Sequence, residues 1–289
     1  MGLVGGGLTF ITYQDLYKDV VSWDIPYDFD TVVGVPRSGM IPAAMLATHR
    51  NVALVTPAEL WLLIKRREVF VPIHSKVLMQ QPKHVLVLDD SVHTGTTITY
   101  IRKVLLDLPV ELRFAAVYVT PDHRDLVDFY RHLVPQPRLF AWNFMHHGLL
   151  TQACVDMDGV LCQDPPRQIT GAENYEAELR DLKPLFLPSV PVHTVITCRL
   201  EKDRTVTAAW LTKYGVQYRF LVMMDYDSPE ARRAAHEHAT WKVNYYAAHP
   251  ELTLFIESEK WQADYIRVQT GKAVVCTEEI LASSHCGVA

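Results

Sequence analysis

Short runs of apolar, β-branched residues recur along the chain, and most are followed by a stretch in which apolar positions fall at helical spacing. Runs that stay apolar, without polar alternation, suit strands buried on both faces of a parallel sheet. In the first half they predict strands over Thr31–Val35, Val52–Thr56, His84–Leu88 and Phe114–Val119. Helices are expected over Pro42–His49, Thr96–Leu106 and Asp122–His132. In the second half the strands are Ala153–Asp156, His193–Thr197, Phe220–Met223, Thr253–Ile256 and Ala273–Cys276. Helices are expected there over Asp203–Lys213, Glu230–Ala248 and Lys260–Thr270, with a further one near Glu173–Leu182. Strand–helix alternation of this kind predicts α/β layers, with helices covering parallel sheets. The proline-punctuated, aromatic stretch Val134–His147 (VPQPRLFAWNFMHH) closes the first set, and a new strand opens at Ala153. Two domains are therefore expected, 1–150 and 151–289.

Composition narrows the class without changing that division. The chain has 289 residues, 49% hydrophobic and 21% charged, with a formal net charge of −5. At roughly 100–200 residues per domain, two domains fit the length. There is no basic excess of the kind a nucleic-acid footprint requires. No apolar run reaches the roughly 20 residues of a membrane helix. The start, MGLVGGGLTF, lacks the basic and apolar regions of a secretory signal, and Gly6 stands where a myristoylation signal needs Ser or Thr. The five cysteines include no CxxC pair, so their spacing offers no zinc framework. A scattered, odd-numbered set suits reduced thiols and a cytoplasmic protein.

The first candidate site is VLVLDDSVHTGTT, Val85–Thr97. An apolar strand leads to Asp89 and Asp90, and a loop through Ser91, His93, Thr94, Gly95, Thr96 and Thr97 opens a helix. Free backbone N–H groups at a helix start bind phosphate. Gly95 permits close backbone approach, and the threonine hydroxyls add donors. Adjacent carboxylates can hold sugar hydroxyls and face a developing positive charge. No GxxxxGK[ST] Walker loop occurs. The segment resembles the phosphoribosyl-pyrophosphate (PRPP) motif of type I phosphoribosyltransferases, with His93 where that family usually has a smaller residue. A second segment, VVGVPRSGMIPAA (Val32–Ala44), looks like the pyrophosphate loop of the same family, through Arg37, Ser38 and Gly39. The guanidinium of Arg37 offers phosphate oxygens a planar fork. Between the two lies Trp61–His74 (WLLIKRREVFVPIH), where family members carry a loop that closes over the pyrophosphate. Lys65, Arg66 and Arg67 are its candidates. The resemblance spans roughly residues 10–150. It implies PRPP as donor, Mg²⁺ on the pyrophosphate and ribose hydroxyls, and inversion through an oxocarbenium-like state. Relatives of this half commonly form homodimers.

The second candidate site is ACVDMDGVLCQDPP, in which a strand delivers Asp156 and Asp158 follows two residues on. One carboxylate can attack phosphorus, and the other can protonate the leaving oxygen and later activate water. Mg²⁺ would offset the phosphate's charge. The pattern is similar to motif I of the haloacid dehalogenase-like (HAD-like) phosphatases. That family implies three further stations. Thr197 at the end of the next strand and Lys242 before a later helix would bind phosphate, and Glu257 and Glu259 would complete the metal ligands begun by Asp156 and Asp158. Glu257 is favoured of the two glutamates, and both stand where the family usually has Asp. Arg199 is a candidate contact for substrate phosphate. Only about 40 residues separate Asp158 from Thr197, so the HAD-like Rossmannoid unit is expected to have a minimal cap.

A transferase that installs ribose 5-phosphate makes a phosphomonoester, which a phosphatase in the same chain can remove. The pairing resembles bacterial enzymes that build β-ribofuranose into polysaccharides, with a glycan (lipid-linked or free) as acceptor. Two other readings stay open. One is a nucleobase phosphoribosyltransferase fused to a nucleotidase, and the other is a PRPP-sensing regulatory protein. Weaker signals are His236, His238 and His146–His147 as metal ligands, and Trp142 and Phe144 as rings that stack an acceptor.

Overall fold

The structure, a computed structural model, describes residues 2–66, 81–165 and 172–282. The chain divides into two compact units, one of Ile11–Arg138 and one of Met1–Phe10 with Leu139–Ala289. The sequence suggested a boundary near 150. The structure places it about a dozen residues earlier and adds the glycine-rich N-terminus to the second unit. The reason is local pairing: Gly6 donates its N–H to the Gly271 carbonyl, and Val274 donates to the Val4 carbonyl. Short strands β1 (Gly2–Leu3), β2 (Thr9–Ile11) and β8 (Arg138–Phe140) form a small sheet in the order β1-β2-β8.

The Ile11–Arg138 unit holds a five-stranded sheet built from β3 (Thr31–Gly34), β4 (Ala53–Val55), β5 (His84–Val92), β6 (Glu111–Val119) and β7 (Phe129–Leu133). Its order is β4-β3-β5-β6-β7 and every pairing is parallel. Among the described residues four α-helices accompany it: α1 (Tyr13–Val21), α2 (Met40–Arg50), α3 (Pro57–Arg66) and α4 (Thr96–Leu105). α1 and α2 pack together, with α2 against β3 and β5. Leu60 of α3 and Ile98 and Leu105 of α4 join Val33, Val85, Val87 and Phe114 in one core. α1 begins at a capping box, in which the Thr12 hydroxyl accepts from the Asp15 N–H while the Asp15 carboxylate accepts from Thr12. Asp122–His132 is not the expected helix. Pro121–Leu126 forms a 3-10 turn, and Phe129–Leu133 completes the sheet edge as β7. Pairing with β6 outweighs the segment's local spacing, and the Asp128 carboxylate fixes the entry by accepting from the Phe114 N–H at 2.7 Å.

The second unit repeats the architecture with different chemistry. Its strands are β9 (Ala153–Asp156), β10 (Val192–Leu200), β11 (Tyr218–Met224), β12 (Leu254–Glu257) and β13 (Ala273–Cys276), all parallel, in the order β11-β10-β9-β12-β13. Its helices are α5 (Ala172–Asp181), α6 (Arg204–Lys213), α7 (Pro229–Ala235), α8 (His238–Ala248), α9 (Lys260–Thr270) and α10 (Thr277–Ala282). Both faces are buried, as the unbroken apolar runs require. Val155, Val195, Ile256 and Val275 pack with Leu179 of α5 and Trp210 and Leu211 of α6. The alternate residues Cys154, Ile196, Phe255 and Val274 pack with Tyr246 of α8 and Ala263 and Ile266 of α9. The single helix expected over Glu230–Ala248 is broken at His236, which takes a left-handed conformation (φ 54°) and ends α7. Among the described residues no helix is long and apolar enough to cross a membrane.

Candidate functional site

In open α/β sheets, ligands bind beyond the carboxyl ends of the strands, where the strand order reverses. The two sheets reverse beside β3 and β5 in one unit, and beside β9 in the other. Those strands carry the candidate residues.

In the first unit, β5 runs further than its apolar core suggested. Asp89 lies opposite Ala116 and the pairing continues to Val92, so the two acids sit inside the strand. β3 stops alongside Leu88, which leaves Asp89 and Asp90 beyond its end. The loop after β3 fills that space. Val35 donates to the Leu88 carbonyl at 3.0 Å, and the next residues turn through Arg37, Ser38 and Gly39 into α2. Gly39 is pressed against Asp89: a Cβ there would meet the Asp89 Oδ1 at 2.6 Å and the Val35 carbonyl oxygen at 2.6 Å. The two segments identified in the sequence therefore meet. Arg37 is exposed and Ser38 half-buried. Gly95 caps α4 in a left-handed conformation (φ 75°), and a side chain there would strike Leu126. Thr94 and Thr96 share a hydroxyl hydrogen bond at 3.0 Å, while His93, Thr96 and Thr97 are exposed. Ser91 is half-buried on β5.

Asp89 and Asp90 are buried, and the Asp90 N–H donates to the Asp89 Oδ1 at 2.9 Å. Burial first, and then the neighbouring Asp90 charge, raise the Asp89 carboxyl well above the ordinary carboxylate value. Adjacent hard oxygen donors whose charges repel are the donor set a divalent cation stabilises, so these residues fit Mg²⁺.

Lys65 lies apart from the other phosphate-binding candidates. Helices of a β-α-β crossover run antiparallel to their strands, so the last turns of α3 and α4 lie away from the loop around Gly95. Lys65 lies on that last turn of α3 and donates to the Asp107 carbonyl, just past α4, at 3.4 Å. The side chain of Arg66, together with Arg67 and the rest of the stretch to His74, lies outside the described residues.

The structure adds a residue the sequence reading missed. Arg138 is buried and donates to the Val92 carbonyl at 2.9 Å and the Val134 carbonyl at 3.0 Å, tying down the strand end that precedes the His93–Gly95 loop. Burial pulls its guanidinium down to about 10, against the attraction of Asp90. Its only sequence signal was an arginine inside the otherwise apolar PRLFAW.

In the second unit, Asp156 ends β9. Its Oδ1 accepts from the Met157 N–H at 2.8 Å, and its Oδ2 accepts from Lys242 Nζ at 2.7 Å. The same ammonium donates to Glu257 Oε2 at 2.7 Å, from the end of the neighbouring β12. All three groups are buried. Burial alone would lower the ammonium, but Asp156 and Glu257 outweigh it and hold Lys242 well above its ordinary value. Burial, with Glu257 adding to it, raises Asp156 against the pull of Lys242. Two carboxylates thus share one cation, and the trio carries a formal excess of one negative charge.

Asp158, however, faces elsewhere. Its carboxylate pairs with the buried Arg199, through Nε at 3.1 Å to both oxygens and Nη2 at 2.5 Å to Oδ1. The Cys162 thiol joins them, 3.4 Å from Asp158 and 3.3 Å from Arg199. Burial and the Asp158 charge raise that thiol above the ordinary cysteine value. Arg199 is therefore a buried partner of Asp158. Thr197 is fully buried, and its hydroxyl accepts from the Arg199 N–H at 3.2 Å. β10 does not end there but continues past an irregularity to Leu200. Glu259 turns away toward α9, accepting from Trp261 Nε1 at 2.8 Å and Gln262 Nε2 at 2.5 Å. Asp156, Asp158, Glu257 and Glu259 are not gathered as one ligand set. Among the described residues no group of three or more His, Cys, Asp and Glu side chains is arranged to hold a metal ion. Gly159 (φ 75°) brings the loop after Asp156 against Ser258, where a Cβ would meet the Ser258 Cβ at 2.4 Å.

The weaker candidates resolve differently. Phe144 is buried in the second unit's core against Phe186, and Trp142 stacks on Phe140 at 4.8 Å. His236 is the left-handed helix end, and His147 caps a 3-10 turn by accepting from the Leu149 N–H.

No family model matches the chain. Curated relatives do. Xanthine-guanine phosphoribosyltransferase of Chromohalobacter salexigens is 30% identical over 129 residues, which covers 44% of this chain and 76% of that protein. The enzyme of the same name from Nitratidesulfovibrio vulgaris is 28% identical over 141 residues, 46% of this chain and 83% of that one. Among solved structures, Helicobacter pylori xanthine-guanine-hypoxanthine phosphoribosyltransferase is 18% identical with a TM-score of 0.36, covering 47% of this chain and 92% of that one. With a matched stretch that takes in three quarters of a relative 30% identical to it, this chain belongs to the type I phosphoribosyltransferase family.

Proposed function

We propose that the chain is a two-step enzyme: it transfers 5-phosphoribose from PRPP to an acceptor, then hydrolyses the 5-phosphate it has installed. The observation that carries the first step is the contact of Gly39 with Asp89, which sets a pyrophosphate loop beside the two carboxylates and phosphate loop of β5. The C1–O bond of PRPP breaks, its electron pair leaves with pyrophosphate, and the acceptor attacks the opposite face. Asp89 and Asp90 offset the positive charge that develops on the ribose ring. The backbone N–H groups around Gly95 and the hydroxyls of Thr94, Thr96 and Thr97 hold the 5-phosphate. Arg37 and Ser38 bind pyrophosphate oxygens. A Mg²⁺ ion held near Asp89 and Asp90 would neutralise the departing pyrophosphate.

The second step uses the HAD-like reading of β9, which the order β11-β10-β9-β12-β13 and the Asp156–Lys242–Glu257 trio support. Asp156 attacks phosphorus, the ester P–O bond breaks, and Asp158 protonates the departing oxygen. Asp158 then takes a proton from the water that hydrolyses the aspartyl phosphate. This requires Asp158 to exchange its partner Arg199 for substrate, whose phosphate is the natural competitor for that guanidinium. Thr197 and Lys242 hold the phosphate, and a Mg²⁺ ion at Asp156 and Glu257 would complete the charge balance.

The acceptor we favour is a purine-type base, because the curated relatives are named for xanthine and guanine transfer. The product would be a nucleoside. The second reading is a glycan acceptor, lipid-linked or free, leaving a β-ribofuranosyl residue. It is favoured by the pairing itself, since a phosphatase removes what nucleotide salvage keeps. Incubation with PRPP, Mg²⁺ and a panel of purines and glycans, read by product mass, separates the two. A dephosphorylated riboside of a purine supports the first. Ribosylation of a glycan alone overturns it in favour of the second.

A further inference from the structure

At the amino-terminal edge of the second sheet, opposite Asp156, lies a cleft of about 510 Å³ lined by His193, Arg219, Phe220, Tyr245, His249 and Glu251. Its size lies in the roughly 300–1,000 Å³ range of small-molecule sites. Neither candidate site uses any of these residues. Four of the six are rings. His193 and Phe220 lie 5.3 Å apart on adjacent strands β10 and β11, and Tyr245 stacks on His249 at 4.1 Å near the end of α8.

The two ring pairs are held by one buried hydroxyl. Thr194 Oγ1 is 2.9 Å from His193 Nδ1 and 3.4 Å from the Tyr245 hydroxyl. The Tyr245 carbonyl, 2.7 Å from His249 Nδ1, fixes that ring as well. Phe220 is 43% exposed although it sits on a strand, so part of its ring is accessible from the cleft. Arg219 lies over the Phe220 ring at 5.0 Å and keeps its cation at the cleft. Among the described residues that line it, Glu251 supplies the one carboxylate.

We propose that this cleft is a second ligand site that takes a nucleoside 5′-monophosphate. Planar rings on a preformed scaffold favour a flat heteroaromatic base, which stacks by its π-face. The Arg219 guanidinium suits the monophosphate. Glu251, an acceptor only, favours bases that present a donor edge, such as guanine. The site is independent of how the transferase and phosphatase readings fare.

The test uses the full chain carrying Asp156→Asn, so that no probe is hydrolysed there, with the first unit saturated by PRPP and Mg²⁺. Guanosine 5′-monophosphate and guanosine are titrated calorimetrically. One monophosphate should still bind per chain. Phe220→Ala should weaken both probes by about tenfold, in line with the cost of losing a stacked base. Arg219→Gln should weaken the monophosphate and leave guanosine unchanged. Both residues lie on an exposed edge strand, and matched melting curves certify the variants. Loss of all binding under PRPP, or affinity indifferent to both substitutions, would overturn the proposal.

Discussion

Gly39 and Asp89 stand so close that a methyl group on Gly39 would lie 2.6 Å from the Asp89 carboxylate. They come from segments 50 residues apart in the chain, one a turn into α2 and the other inside β5. In the proposed transfer step the contact fixes the loop that binds pyrophosphate relative to the carboxylates that face the ribose charge. Gly39→Ala should therefore push the two apart. The expected outcome is a loss of pyrophosphate release from PRPP of at least about a hundredfold, as small displacements at a reacting centre cost that much. A steady-state assay with a coupled pyrophosphate readout checks it.

Asp89 gives a pH prediction whose sign follows from its raised carboxyl. The folded state holds that proton more tightly than the unfolded chain, so the stability it contributes is whole below about 3.8 and is lost as pH climbs through the raised folded value. Asp89→Asn removes the titration. The variant should melt higher than the parent at neutral pH, and the gap should close as pH falls toward 4. It should also lose transfer activity. Melting curves across pH, without ligands, provide the measurement, and a pH-independent difference would count against the account.

Lys242 is the shared cation of a buried trio. Lys242→Met leaves Asp156 and Glu257 facing one another with no counter-charge, and breaking a buried pair in this way costs about 3–5 kcal/mol. Adding Glu257→Gln to the same chain removes one of the stranded charges. Urea unfolding should show the single variant strongly destabilised and the double variant partly restored.

Much of this was legible in the sequence. β9, α9 and β13 have the expected limits, because unbroken apolar runs and a glycine stop leave little choice. The Asp89–Asp90 and Asp156–Asp158 pairs were visible because their residues are close in the sequence. What was hidden is tertiary. The Asp122–His132 segment has spacing that suits a helix, and only the open edge of β6 makes Phe129–Leu133 a strand. The left-handed His236 is a backbone choice its side chain does not announce. The Arg199–Asp158 pair joins positions 41 residues apart, so neither the burial of Arg199 nor its partner was legible in the sequence. α1 was missed although TYQD carries a capping-box signature at its start.

The Arg199–Asp158 pair also predicts a split phenotype. Arg199→Gln frees Asp158 but removes the guanidinium for which, in the proposed mechanism, substrate phosphate competes. Phosphatase KM should rise while pyrophosphate release by the other unit is unchanged. Parallel kinetics with PRPP and a simple phosphomonoester check it.

Phosphorus NMR of one reaction tests the central claim most directly. The chain is mixed with PRPP, Mg²⁺ and a purine acceptor, and pyrophosphate, phosphoribosyl product and inorganic phosphate are followed together. The account predicts pyrophosphate first and inorganic phosphate after it in the parent chain. Asp156→Asn should give pyrophosphate and a lasting phosphoribosyl product, and Asp89→Asn combined with Asp90→Asn should give neither. Inorganic phosphate released equally by the Asp156→Asn variant, or no acceptor-dependent pyrophosphate from the parent with any purine or glycan, would contradict it.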